Sequence, residues 1–267
     1  MAKLGKITER EYNEIPAVRN SELGNIEKSW IHYKQGAERT TAMIFGTAFH
    51  MYVLEEPTFW ECFAVCPKID RRTKEGKAAW TQICENSKGK DIIDQDDFDT
   101  IQKMKDALYA HPMAKNILHR SENEGAYTAT INGVDVKCKL DLENKGHFFD
   151  LKSCEDASPE GFKKSLVKYK YYRQAPFYGD IVEANGIKFK SFNFIAVEKK
   201  EPFLVAVYTI CGPTMDIGRK SYKKILAKYK RHVENPDSYQ GYSDSFIPLT
   251  APDWLFHQAA QEDNEAE

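Results

Sequence analysis

The sequence predicts an α/β domain with a central mixed sheet flanked by helices and with a mostly helical N-terminal part. The strongest observation is an alternation of apolar and polar residues between 125 and 152, which is the period of half-buried strands. Two further apolar segments, 187–197 and 203–211, are typical of strands, whereas 41–54 and 214–233 have the pattern of helices. Strands and helices that alternate along a chain favour this fold class.

Length and composition indicate a single domain. The chain has 267 residues, and we expect one domain over 1–260 with a disordered acidic tail over 261–267. Residues 1 to about 120 are expected to be mostly helical, and residues 121–250 to form the core that contains the sheet. The chain shows no apolar run of membrane-spanning length and no secretory segment at its start, so we expect a cytoplasmic protein without membrane association.

The first strong helix signal is the segment 41–54, which is apolar nearly all round and therefore predicts a buried helix. Gly46 and Ala48 are small enough there for a neighbouring element to approach closely. His50 also lies in this helix. On composition alone, a single histidine in such a segment is more often a hydrogen-bonded core residue than a ligand.

Residues 125–152 predict a three-stranded antiparallel meander. Asn132-Gly133 is the dipeptide preferred in a two-residue type I′ hairpin, and Asn144-Lys145-Gly146 supplies a second turn. In the middle strand, apolar residues at even positions from Val134 to Leu142 alternate with polar ones, which places Asp141 on the solvated face.

The second turn sets the register of two acidic residues. If Leu142 pairs with His147, Lys139 lies opposite Asp150, so that Asp141 and Asp150 are diagonal neighbours about 7–8 Å apart on one face. Lys152 follows on the same face. A register slip of one residue would turn one strand over and separate the two carboxylates.

This grouping of residue types suits metal-dependent phosphodiester chemistry. Asp141 and Asp150 offer the oxygen ligands that a hard divalent cation such as Mg²⁺ prefers. A lysine beside the cation, here Lys152, can position the attacking water and offset charge that develops on phosphorus. The structural alternative is a solvated ion pair between Asp150 and Lys152 on an ordinary hairpin.

The remaining chain completes the α/β pattern. Ser158 followed by Pro159 matches an N-cap with proline at the first helical position, which predicts a helix leading towards 174–183. The strands expected at 187–197 and 203–211 and the lysine-rich helix at 214–233 follow in order.

Asp141, eight intervening residues and Asp150-Leu151-Lys152 resemble the core of the PD-(D/E)XK nucleases, which have a restriction-endonuclease-like fold. The flanking segments are similar to the RecE-like exonucleases, the exodeoxyribonuclease VIII family, over about residues 15–250. The segments that carry this resemblance are Ser21-Glu22-Leu23 through Ser29, His32-Tyr33, Gly46-Thr47-Ala48-Phe49-His50, Asp70-Arg71-Arg72-Thr73-Lys74 with Gly76-Lys77, and Gln174 through Tyr178.

The resemblance implies a role for each matching residue. It implies that His50, Asp141 and Asp150 contact Mg²⁺, or Mn²⁺ in its place, and that Lys152 is the catalytic lysine. Glu124 matches the family's additional acidic residue, although Glu122 lies two residues away and is the alternative.

The resemblance also covers a Q-x-x-x-Y motif at Gln174 and Tyr178. In that motif the glutamine helps to hold the lysine and contacts DNA. Pro176 lies inside the motif and fits if Gln174 occupies the first turn of its helix.

Two basic clusters are candidates for DNA contact, although the net charge is −2 and charge runs are usually solvated faces. The first cluster consists of Lys68, Arg71, Arg72, Lys74 and Lys77. The second consists of Lys163, Lys164, Lys168, Lys170 and Arg173, interleaved with Tyr169, Tyr171 and Tyr172. These tyrosines either stack on bases or pack beneath the lysines, and the sequence does not decide between the two.

The resemblance therefore implies a Mg²⁺-dependent exodeoxyribonuclease that degrades linear double-stranded DNA from the 5′ end in phage-type recombination. It further implies a ring-shaped homo-oligomer and a RecT-like single-strand annealing protein as partner. A RecB-like single-strand or structure-specific nuclease is the alternative enzyme. A DNA-binding module without cleavage is the alternative outside catalysis.

Overall fold

A computed structural model describes residues 2–36 and 38–265, without the side chains of 124, 259, 260 and 263–265. Helices dominate the first part of the chain. Its elements are β1 (Ala2–Gly5), α1 (Glu9–Glu14), β2 (Val18–Arg19), a 3₁₀ turn (Asn20–Glu22), α2 (Leu23–Lys28), α3 (Trp30–Gln35), α4 (Thr41–Leu54), α5 (Glu56–Cys62), β3 (Phe63–Cys66), α6 (Lys74–Asn86), β4 (Asp91–Asp94), α7 (Gln95–Ala110) and α8 (Pro112–Arg120).

The second part contains the predicted meander and the helices that cover it. Its elements are β5 (Glu122–Ile131), β6 (Val134–Asn144), β7 (His147–Cys154), α9 (Pro159–Lys168), α10 (Tyr171–Ala184), β8 (Ser191–Glu198), β9 (Val205–Thr209), α11 (Gly212–Glu234) and α12 (Asp253–Glu265).

The main sheet is mixed, which confirms the predicted fold class. Its strand order in the described residues is β1-β5-β6-β7-β8-β9, with β2 paired to β6. The pairs β7–β8 and β2–β6 are parallel, and the others are antiparallel. Strands β1 and β2 come from the N-terminal part, which was expected to be mostly helical. They are too short for a sequence signal and form because β5 and β6 offer open edges.

The meander is confirmed, but its second register is not the predicted one. Asn144 pairs with His147 and Leu142 with Phe149, so the pairing of Leu142 with His147 is wrong by two residues. Lys145 and Gly146 adopt φ of 50° and 86°, which closes a two-residue turn instead of a four-residue loop. A shift of two residues leaves each side chain on its expected face.

The sheet separates two hydrophobic clusters of the described residues, and β6 changes its facing between them. Leu140 packs in the first cluster with Phe148, under the layer that contains α10 and α11. Leu142 packs in the second with Leu151, beside α4 and α7. In a regular strand, residues i and i+2 lie on the same face of the sheet. Because Leu140 and Leu142 lie on opposite faces, the regular alternation of β6 is broken at Asp141. The expectation that Asp141 lies on a solvated face opposite all the apolar residues is therefore wrong.

Helix α10 packs unusually closely on α11. The helix begins at Tyr171, so Gln174 is in its first turn, but Pro176 already lies inside the helix, beyond the positions where a missing N–H costs little. Pro176 has no N–H to donate to the Tyr172 carbonyl. Gly218 of α11 lies against that carbonyl, and a Cβ added there would come within 1.9 Å of Tyr172 O and 2.8 Å of Pro176 Cγ.

We predict that Gly218→Ala destabilises the fold by about 1–3 kcal/mol, because the added methyl group meets backbone that cannot move aside easily. Elsewhere in a helix, glycine to alanine is normally stabilising by about 1 kcal/mol. Gly46→Ala is the matched control, because a Cβ at Gly46 in α4 meets nothing within 4 Å. Chemical denaturation measures both changes, and equal stability of the two variants would contradict this account of the α10–α11 contact.

Helix α4 occupies the predicted residues, but one expectation about it is wrong. Gly46 was expected to admit a close neighbour, whereas the space in front of it is open. The buried residues Phe45, Phe49 and Val53 pack α4 into the second cluster. Gly46 therefore borders a cleft, not a helix contact.

The chain end also differs from its predicted disorder, because α12 continues through Glu265. Alanine, glutamine and glutamate dominate 259–262, and these residues favour helix. Residues 266 and 267 of the predicted acidic tail lie outside the described part.

In the residues that the structure describes, no helix combines the length and hydrophobicity needed to cross a membrane.

Candidate active site

The predicted acidic residues meet where β7 leaves β6. β6 pairs with β2 at Val136 and Lys137 and with β7 from Leu142 to Asn144, so Asp141 lies in the gap between these two neighbours. The change of facing at Asp141 directs its carboxylate into this gap. The gap is open to α4 on one side of the sheet and to α10 on the other.

Asp141 is held by groups from two elements. His50 Nδ1 of α4 lies 3.2 Å from Asp141 Oδ2, and the Leu151 N–H donates to the same oxygen at 2.8 Å. The side chains of His50 and Asp141 are 27% and 17% exposed, so both are partly accessible to solvent. Asp141 therefore links the α4 layer to the strand that carries Asp150 and Lys152.

Asp150 is buried and held from the α10 side. Gln174 Nε2 donates to Asp150 Oδ1 at 2.5 Å, and Lys152 Nζ lies 2.5 Å from Asp150 Oδ2. The Lys152 ammonium is therefore the partner of Asp150 Oδ2, and both oxygens of this buried carboxylate are held by polar groups. A buried carboxylate is costly unless such groups bind it.

Tyr171 is a site residue that sequence analysis did not assign. Lys152 Nζ lies 4.6 Å from the centre of the Tyr171 ring and 5.8 Å from that of Phe194, which are cation–π distances. These rings hold the ammonium group beside Asp150. The available signal was spacing, because Tyr171 precedes Gln174 by three residues and shares its helix face.

The charges of the site compensate one another. Burial lowers the pKa of His50, but Asp141 and Asp150 outweigh it and raise that pKa above its usual value. Burial likewise opposes the charge of Lys152, whose pKa Asp150 nevertheless raises. Burial raises the pKa of Asp150 against the pull of Lys152, whereas His50 overcomes burial and lowers the pKa of Asp141. Two carboxylates thus face two cations.

The donors fit a divalent cation, although they are not arranged as a complete site. Two carboxylates and an imidazole are suitable ligands for a divalent cation. In the described residues, no three His, Cys, Asp or Glu side chains already form a metal-holding group. The reason is visible in the contacts, since His50 binds Asp141 and Lys152 contacts Asp150.

The His50–Asp141 pair predicts a pH dependence of stability in the metal-free protein. Because the pKa of His50 is raised on folding, the pair contributes fully below about pH 6.5 and is lost as pH rises through the folded-state pKa. Each unit of pKa difference corresponds to about 1.4 kcal/mol. We expect the melting temperature in EDTA to fall between pH 6 and 9 relative to that of His50→Asn. Parallel curves for the two proteins would show that His50 and Asp141 are not coupled.

A cleft of about 670 Å³ opens in front of these residues. One wall is α4, from Thr40 to His50, and the opposite wall is α9 with the segment that follows it. Its lining includes Lys152, Glu155, Asp156, Lys164, Lys168, Tyr169 and Tyr171. The cleft thus contains both basic and aromatic side chains.

The first predicted basic cluster lies elsewhere. Arg71 and Arg72 border a different pocket, next to the small parallel sheet of β3 and β4. Arg71 stacks on Trp80 at 3.6 Å and contacts Asp94, whereas Arg72 contacts Asp70. Lys74 and Lys77 are exposed at the start of α6. Part of this motif therefore forms the start of helix α6.

Among the other residues predicted to contact DNA, the prediction for Arg173 is wrong. Its side chain is 4% exposed and its Nη1 lies 2.8 Å from Glu27 Oε2, so it fastens α10 to α2 and is not available to DNA. Tyr178 is partly buried, with its ring edge-on to Phe192 at 5.8 Å. The side chain of Glu124, which lies in β5, is outside the described part of the chain.

Known proteins match this fold. The model of a family described as "PDDEXK-like domain of unknown function (DUF3799)" matches residues 16–243. A crystal structure from Eubacterium rectale named "Putative exonuclease" has a TM-score of 0.64 to this chain at 12% sequence identity. The likeness covers 96% of this chain and 98% of that one, and at this identity it is a likeness of fold. No curated protein matches the sequence.

Proposed function

The chain belongs to the family of PDDEXK-like domains of unknown function, and on that premise we propose that it is a metal-dependent exodeoxyribonuclease. Divalent metals are typical of PD-(D/E)XK nucleases, and Mg²⁺ is the proposed ion, with Mn²⁺ as a substitute. The proposed substrate is linear double-stranded DNA, degraded from the 5′ end. The fold shared with the "Putative exonuclease" supports the choice of an exonuclease.

One observation carries the proposal, which is the convergence of Asp141, Asp150 and Lys152 with Gln174 at one gap in the sheet. A solvated ion pair on an ordinary hairpin would not be buried, nor would it be fixed by a glutamine from a helix. Asp150 is 4% exposed and bonded from α10. Burying charged side chains costs folding free energy, so the buried charges at this gap favour a catalytic function over a purely structural one.

Each residue of the site has a distinct proposed role. Asp141, Asp150 and His50 would hold the cation, which when bound would polarise the phosphoryl oxygen and offset charge on it. Lys152 is protonated beside Asp150 and donates to a phosphate oxygen or to the attacking water. Gln174 fixes the Asp150 carboxylate and is a positioning residue.

The assembly is a further proposal. We propose a ring-shaped homo-oligomer that holds DNA and cooperates with a RecT-like annealing protein. Large apolar side chains exposed near the C-terminus, among them Phe246, Leu249 and Trp254, support a contact between copies or with a partner. Lys74, Lys77 and Arg72 remain proposed contacts to DNA outside the catalytic cleft.

The test uses end-labelled linear duplex, closed circular duplex and single-stranded DNA, each incubated with the purified protein and Mg²⁺. Loss of linear duplex alone, blocked by EDTA, is the expected result. Separate 5′ and 3′ labels give the direction of cleavage. Cleavage of the circle or of single strands alone would overturn the exonuclease in favour of another nuclease, and no cleavage would favour a DNA-binding module.

A further inference from the structure

We propose that Tyr169 forms a nucleobase-stacking subsite on the α9 wall of the cleft, which selects DNA ends with unpaired terminal bases. This inference rests on the proposed nuclease function and names the form of DNA end that the site accepts. It also separates the two roles that the sequence leaves open for the tyrosines. Tyr171 packs beneath a lysine, and Tyr169 is the one that meets a base.

The backbone between α9 and α10 places the two tyrosines side by side. Lys170 adopts the left-handed conformation with φ of 59°, which turns the chain sharply between the helices. As a result, the rings of Tyr169 and Tyr171 stack with centres 5.5 Å apart and planes 29° apart. Tyr171 in turn lies 4.6 Å from Lys152 Nζ. Tyr169 is thus the outer ring of an aromatic row that ends at the proposed catalytic lysine.

Tyr169 and Tyr171 differ in what surrounds them. Tyr171 also contacts Phe162 and Phe194 of the core. The ring contacts of Tyr169 among the described residues are Tyr171 and the Lys168 ammonium at 5.2 Å. Tyr169 is 54% exposed and lines the cleft. An exposed ring beside a strand path is the platform on which single-stranded bases stack.

The surrounding charges suit a phosphate backbone. Lys164 and Lys168 lie one helical turn apart on α9 and line the same cleft. The two carboxylates nearby are already engaged, since Glu155 lies 2.5 Å from Lys199 Nζ and Asp156 accepts the Ser158 N–H at 2.8 Å. The Lys168 ammonium, which lies over the Tyr169 ring, can move to a DNA phosphate when a base stacks on that ring.

This geometry discriminates between kinds of DNA end. A base inside a duplex is stacked on both faces, and a terminal base pair exposes only its outer face, which stays fixed at the end of the helix. An unpaired terminal base can leave the stack and turn its face to Tyr169 at no cost in base pairing. Ends that fray or carry a short single-stranded overhang should therefore bind better than blunt ends rich in G and C.

The experiment places 2-aminopurine at the terminal position of a duplex, either unpaired or paired, and measures its fluorescence and the anisotropy of a distant label in EDTA. Wild type and the variants Tyr169→Ala, Tyr169→Phe and Tyr169→Trp are compared. Tyr239→Ala is the matched control, because Tyr239 is similarly exposed, at 59%, and is absent from the residues that line the cleft. We expect quenching for the unpaired base, retained in the phenylalanine and tryptophan variants, and roughly tenfold weaker binding for Tyr169→Ala.

Two results would overturn the subsite. One is equal quenching and affinity in Tyr169→Ala and wild type, and the other is no difference between paired and unpaired ends. Both readouts need no cleavage, so they decide the subsite even if the protein proves inactive. Conversely, an active enzyme with an unaffected Tyr169→Ala variant would reject the subsite and leave the nuclease intact.

Discussion

Replacing Asp150 with asparagine is expected to reduce metal-dependent DNA cleavage by about a thousandfold or more. The change removes one of the two carboxylates. Because His50 must be neutral to bind a cation, the variant leaves the Asp141 carboxylate against the Lys152 ammonium, without net negative charge. A cation is then attracted less strongly and loses a carboxylate ligand. Cleavage of linear duplex under single-turnover conditions measures the loss, and titration with Mn²⁺ measures the weaker metal binding.

The matched control for this change is Asp135→Asn. Asp135 lies on β6, the strand next to the one that carries Asp150, but it is exposed and accepts a hydrogen bond from Thr130 Oγ1 at 2.7 Å. The same loss of charge there should leave cleavage unchanged. An Asp150→Asn variant that retains full activity, with its fold checked by circular dichroism, would remove Asp150 from the metal site.

Lys152→Ala is the second change with a large expected effect, about a hundred- to a thousandfold on the chemical step. Its ammonium lies within 2.5 Å of Asp150 and is held by Tyr171, so it is placed to stabilise charge as the phosphate reacts. Because this interaction strengthens in the transition state, kcat should fall far more than DNA affinity. Rapid-quench kinetics and anisotropy separate the two quantities.

Lys103→Ala tests whether any exposed lysine has the same effect. Lys103 lies on α7, is 57% exposed and contacts Glu201 at 3.4 Å, so its loss should change neither quantity. A Lys152→Ala variant that loses affinity in proportion to rate would instead make Lys152 a binding residue. The assigned catalytic role would then be wrong.

Close packing between α10 and α11 holds the buried polar groups of the site in place. Asp150 and Gln174 are buried, and the two helices that cover them are joined by the close contact of Gly218 with the Tyr172 carbonyl. Arg219 and Tyr222 of α11 add bonds to Asp180 of α10. This rigid pair fixes Gln174, which in turn fixes the carboxylate. Precise placement of a functional carboxylate requires such support.

The sequence by itself determined the features that depend on near neighbours. The two hairpin turns, the helix from Thr41 to Leu54 and the N-cap at Ser158 follow from turn chemistry, periodicity and capping within a few residues. Asp141, Asp150 and Lys152 were identifiable because the meander places them close in sequence and space.

Only the tertiary structure decided the features that depend on distant partners. The facing of Asp141 changes because Leu140 and Leu142 are drawn into different hydrophobic clusters. Arg173 is buried because Glu27, far away in sequence, offers it a carboxylate. Tyr169 reaches the cleft because the chain turns at Lys170. Local sequence patterns do not predict these contacts, because each contact depends on burial and charge pairing between segments that meet only in the folded chain.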